Sequence, residues 1–156
     1  MTKTIIAILS FFILTSSNSF QQADSYEVRI SFIGLPSPIT TKYLVNNSQI
    51  KVFEEFYNPN YDSTTFRNVH TYSDFNQPRL TSFLEHIDWD TVPKELITPT
   101  IDGYQFDVDI KIEGKEYHFN VDNTYHPTFD SLLTICNQLI PNKKTRKEYK
   151  IYYSNK

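Results

Sequence analysis

The run from Tyr104 to Asp122 constrains this chain more than any other stretch. Tyr104 to Glu113 reads YQFDVDIKIE. Tyr104, Phe106, Val108, Ile110 and Ile112 fall on one side; Gln105, Asp107, Asp109, Lys111 and Glu113 fall on the other. A strict period of two is the pattern of a half-buried strand. Glu113-Gly114 supplies a two-residue turn, and Lys115 to Asp122 returns with Tyr117, Phe119 and Val121 inward. So short a turn fixes the register, because a slip of one residue would move every side chain to the opposite face. The expected pairs are Ile110 with Tyr117, Val108 with Phe119 and Phe106 with Val121. On the wet face they are Lys111 with Glu116, Asp109 with His118 and Asp107 with Asn120.

Other strands are expected around this hairpin. Tyr26 to Ile33 alternates and is ended by Gly34, Pro36 and Pro38. Thr41 to Val45 and Ile50 to Phe56 flank a hairpin loop, Asn46-Asn47-Ser48-Gln49. Residues 58–76 show no clean period and read as a loop with one short strand near Phe66 to Tyr72. Tyr149, Ile151 and Tyr153 alternate with polar neighbours as a last strand.

Two windows carry helical spacing instead. Pro78 opens one with Leu80, Phe83, Leu84 and Ile87, ended by Asp88-Trp89-Asp90, with Trp89 folding back on the core. Pro127 opens the other with Phe129, Leu132, Leu133, Cys136 and Ile140, and Pro141 stops it. The expectation is an α+β fold: a mostly antiparallel sheet of about five to six strands with two helices packed on one face.

The N-terminus predicts export. Lys3 precedes an apolar region of ten residues, Ile5 to Leu14, and Thr15 to Ser19 is small and polar. That is the order of a secretory signal peptide over residues 1–19, cut between Ser19 and Ala23. Ten residues fall short of the roughly 20 that cross a bilayer, so no transmembrane helix is expected. The remaining residues 20–156 are expected to form a single α+β domain, periplasmic or secreted. One cysteine in the whole chain leaves no internal disulfide to stabilise it.

Asp102-Gly103, the aromatic alternating strand, the Gly114 turn, the returning strand, and Asn123 followed by Pro127-Thr128-Phe129 at a helix start resemble a pattern in small secreted bacterial domains of unknown function. The resemblance covers roughly Pro78 to Ile140. It implies a small exported α+β domain and carries over no activity and no catalytic residue.

Chemistry is thinly marked. Three glycines leave no room for a glycine-cradled phosphate loop, and no G-x-S-x-G occurs. Cys136 lies in the centre of an apolar stripe and reads as a small buried hydrophobe. The four histidines never form H-x-H or H-E-x-x-H. Asp107, Asp109 and His118, with Asn120, form a weak metal or polar cluster on the wet face of the hairpin. Carboxylate pairs occur at Asp88/Asp90 and Asp102/Asp107, and the first reads more simply as a helix end. Residues 142–156 hold six Lys or Arg against Glu148, yet the formal net charge is −3. No groove-reading helix accompanies the basic segment, so nucleic acid is not an expected partner.

Aromatic side chains with polar tips suit partners better. Tyr57, Tyr61, Phe66, Tyr72 and Phe75 stand among Asn, Asp and Thr in the least regular stretch and are the candidate binding residues. Phe53 and Phe56 have opposite parity, so at least one points outward or sits at a bulge. The function this supports is a non-catalytic binding or interaction module for a protein, peptide or glycan, with no cofactor. The alternatives are a small Asp/His hydrolase, and an inhibitor or assembly partner acting through an edge strand.

Overall fold

A computed structural model describes residues 25–34, 39–57, 64–73, 77–99 and 104–149. The chain order is β1 (Tyr26–Gly34), β2 (Ile39–Asn46), β3 (Ile50–Tyr57), β4 (Thr64–Tyr72), α1 (Gln77–His86), β5 (Glu95–Ile97), β6 (Tyr104–Ile112), β7 (Lys115–Asp122) and α2 (Pro127–Leu139). A short 3-10 helix, Lys143–Thr145, follows. The strands form one seven-stranded sheet in the order β4-β3-β2-β1-β6-β7-β5. Every pairing is antiparallel except β5 with β7, which is parallel.

The hairpin forms in the expected register, Ile110 with Tyr117 through Asp107 with Asn120. Glu113 (φ 51°) and Gly114 (φ 77°) both take left-handed backbone, which is the type I′ turn that matches strand twist. The β2–β3 loop closes on Asn46, whose side-chain oxygen accepts from the N–H groups of Ser48 (3.0 Å) and Gln49 (3.1 Å). One strand residue in two then points to the core. Val28, Ile30, Tyr43, Val45, Ile50, Val52, Val108, Ile110 and Phe119 are all buried.

Both helices cover that same apolar face. Leu80 and Leu84 of α1 and Phe129, Leu132, Leu133 and Cys136 of α2 join the strand residues in one hydrophobic cluster. Trp89 does fold back, its indole N–H donating to Leu84 O at 2.9 Å. Phe119 centres an aromatic group, 5.2 Å from Phe129 and 5.8 Å from Trp89 between ring centroids. Burying each such ring stabilises the fold by about 2–3 kcal/mol.

Four details differ from the expectation. The sheet has seven strands rather than five or six. β4 is nine residues long, and skipped pairing at Val69 breaks its alternation: Val52 faces His70 while Phe53 faces Asn68. β5, three residues after Pro93, was not expected. Residues 146–149 form no strand, and Ile151 and Tyr153 lie outside the described residues, as does the predicted signal peptide. Instead the segment is held by side chains. The Tyr43 hydroxyl donates to Thr145 O (2.9 Å) and accepts from Lys147 N–H (2.7 Å), while the Asn137 amide bonds both the N–H and the C=O of Lys147. Tyr149 then reaches the turn before α2, bonding Thr124 O and accepting from His126 N–H.

Candidate functional site

Since both helices sit on one face, the other face of the sheet carries the alternate residues of every strand. No described helix packs on it. Two parallel rows cross it. One runs Lys51, Leu44, Arg29, Asp109, His118, each the Cα partner of the next. The other runs Phe53, Lys42, Ser31, Asp107, Asn120, Glu95. Each row passes from basic to acidic on going from β3 to β7 and β5.

The acidic half holds the cluster expected from the hairpin. His118 Nδ1–H donates to Asp109 Oδ1 at 2.7 Å, and Arg29 approaches the other oxygen at 4.0 Å. Asn120 donates to Asp107 Oδ1 at 3.1 Å. Partial burial pushes the Asp107 carboxyl above the ordinary carboxylate range, against the pull of His118, and neighbouring Asp109 adds to the rise. The structure therefore brings Asp107, Asp109 and His118 together as two neighbouring cross-strand pairs, Asp109 with His118 and Asp107 with Asn120, on a flat sheet. Among the described residues no three carboxylate, imidazole or thiol groups converge to hold a metal ion, because ligands spread along a sheet row do not close around one point.

The basic half holds a feature the sequence reading missed. Leu44 and Phe53 floor a groove of about 330 Å³ bounded by Arg29 and Lys42. The signal was present in the parity. Leu44 is apolar at a wet-face position between inward Tyr43 and Val45, and Phe53 is the outward member of the Phe53/Phe56 conflict. A second groove of about 480 Å³ lies where β7 meets β5, lined by Glu95, Ile97, Glu116 and His118 among others. It gathers one imidazole and two carboxylates, with no serine, threonine or cysteine among the described residues of its wall.

The aromatic candidates fare differently. Tyr72 is half-buried, packed against the core and stacked on His70 at 5.8 Å. Tyr57 and Phe66 are placed by backbone alone, in β3 and β4. Tyr61 and Phe75 lie outside the described residues, and so does Asp102. Asp88 and Asp90 form the turn after α1: Asp88 O accepts from Thr91 N–H, and Asp90 accepts from Lys115 at 3.2 Å. Cys136 is fully buried and its thiol is pushed up to about 12 by desolvation, which leaves no nucleophile at neutral pH.

Fold and site together define an α+β sheet protein with one face closed by helices and the other, covered by no described helix, polar and grooved. No protein-family model, curated protein or solved structure matches the chain. Among the described residues no helix is long and apolar enough to cross a membrane.

Proposed function

We propose that this protein is an exported, non-catalytic interaction module whose contact surface is the uncovered sheet face. One observation carries the reading: Leu44 and Phe53 form an apolar floor on a mostly polar face, with Arg29 and Lys42 at its rim. An apolar centre ringed by polar groups is the anatomy of a contact patch. Tyr57 on β3 and Phe66 on β4 occupy register positions of the same face as Phe53, whereas Tyr72 pairs with core residue Ile50 and belongs to the other face. Such a surface suits a protein, peptide or glycan, and the apolar stretch before Ser19 supplies the route out of the cell.

The test is a photo-reactive leucine analogue at position 44 in the exported fraction. A defined adduct is expected, lost when Phe53→Glu is introduced beside the probe, without change in melting temperature. Adducts that persist in that variant contradict the placement.

The oriented Asp109–His118 pair beside the second groove favours a second reading, a small hydrolase in which His118 Nε2 acts as a base on water. The 66% exposure of the His118 side chain weakens it, since a solvated imidazole gains little catalytic advantage. Ester or peptide hydrolysis lost in His118→Gln would favour this reading over the first.

A further inference from the structure

The charges on the uncovered face are unevenly divided: its β3–β2–β1 side presents Lys51, Lys42 and Arg29 with Glu27, and its β6–β7–β5 side presents Asp107, Asp109, Glu116 and Glu95 with Lys111. We propose that this face binds a second copy of the chain, sheet face against sheet face, about a two-fold axis parallel to the strands and lying between β1 and β6.

The charge pattern selects the axis. A rotation about a line parallel to the strands exchanges left and right, so the basic half of one copy meets the acidic half of the other. Arg29 then faces Asp109 of the partner subunit on both sides of the axis, Ser31 faces the partner's Asp107, and Lys42 faces the partner's Asn120. A two-fold perpendicular to the strands would lay lysine over lysine and is rejected by the same charges. The contact is isologous and closes at two copies. Leu44 and Phe53 lose their water in it, and amphipathic sheets pack aligned in this manner.

The size sets the strength. Six strands at about 4.8 Å spacing, over about six residues each, give roughly 550 Å² per copy, near the lower bound of specific interfaces. The dimer is therefore a weak one, in the micromolar range, and salt loosens it.

The inference rests on the interaction reading above, and the experiment separates the two. Sedimentation velocity of the purified protein is run from about 5 to 500 µM at low and high salt. A monomer–dimer equilibrium is expected, weakened about tenfold by raising the salt to about 0.5 M. Arg29→Asp and Asp109→Arg are each expected to be monomeric, because each makes one face repel its copy. An equimolar mixture of the two restores the dimer, an outcome that no contact within one chain can produce. Lys115→Glu, on the other face, leaves dimerisation unchanged. Melting temperatures check that all variants fold. A wild-type monomer at 500 µM, or folded variants whose mixture stays monomeric, overturns the proposal. If the Leu44 adduct with a different exported protein survives that result, the face remains an interaction surface and the second copy is the part that fails.

Discussion

Tyr43→Phe should destabilise this protein by about 2 kcal/mol, although the ring itself stays packed. The magnitude follows from the contacts. Tyr43 is fully buried, and its one hydroxyl proton goes to Thr145 O at 2.9 Å while its oxygen accepts from Lys147 N–H at 2.7 Å. Phenylalanine removes both bonds, each worth about 1 kcal/mol net. Lys147 N–H keeps a partner in Asn137 Oδ1 at 3.2 Å, so the orphaned group is the Thr145 carbonyl. In a domain of this size the loss corresponds to a drop in Tm of roughly 4–8 °C. Urea unfolding should show a lower midpoint with an unchanged slope. The damage is also local. Lys143, Lys144, Arg146 and Lys147 are four trypsin sites on the released segment, and cleavage there should quicken roughly 20–30-fold. A Tm within 1 °C of wild type, together with unchanged cleavage, would refute the idea that this hydroxyl holds the C-terminal segment to the sheet.

Other consequences can be measured alongside. Desolvation raises the pKa of the Tyr26, Tyr43, Tyr149 and Cys136 groups, the last two to about 12 from ordinary values of 10.0 and 9.0. The unfolded chain therefore loses these protons first, and stability is present below about pH 9 and falls as pH rises toward 12; equal stability at pH 8 and 11 would contradict this. Ellman's reagent should reach Cys136 only on unfolding, and rapid reaction of the native thiol would show that α2 does not bury it. Partial burial raises the Asp107 pKa from its ordinary value, so its ionisation costs some stability as pH rises through the carboxylate range. Asp107→Asn is expected to melt at or above the wild-type temperature at pH 7, and a clear loss there would mean that its charge is favourably paired. Glu113→Asn should stabilise by several tenths of a kcal/mol, because asparagine adopts the left-handed backbone at φ 51° more readily than glutamate.

The elements that were legible in the sequence are those whose pattern is local and repeated. The β6–β7 register could be read pair by pair because a two-residue turn leaves no freedom and six positions agree. The helices could be read because Leu80/Leu84 and Phe129/Leu132/Leu133/Cys136 recur at helical spacing. β4 resisted because the extra residue Val69 interrupts its period of two. β5 resisted because three residues have no period, and because its parallel pairing with β7 depends on a partner 25 residues away, Glu95 against Asn120. The C-terminal alternation misled because Tyr149 uses its hydroxyl, not its backbone, to reach the rest of the fold. The candidate site divides in the same way. Asp107, Asp109 and His118 were legible as hairpin neighbours, whereas the Leu44/Phe53 groove needs two strands whose alignment with Arg29 no single stretch encodes.

The account depends on one sheet face being closed and the other open, and thiol labelling of adjacent β1 positions measures that directly. Ser31→Cys points to the open face and Ile30→Cys to the core, one residue apart. In dilute solution the thiol at position 31, partly exposed, should react without unfolding, within about tenfold of an unfolded peptide. At position 30 the reaction should be slower by about 10³-fold or more, limited by unfolding. Equal rates, or a position 31 as protected as position 30, would contradict the account.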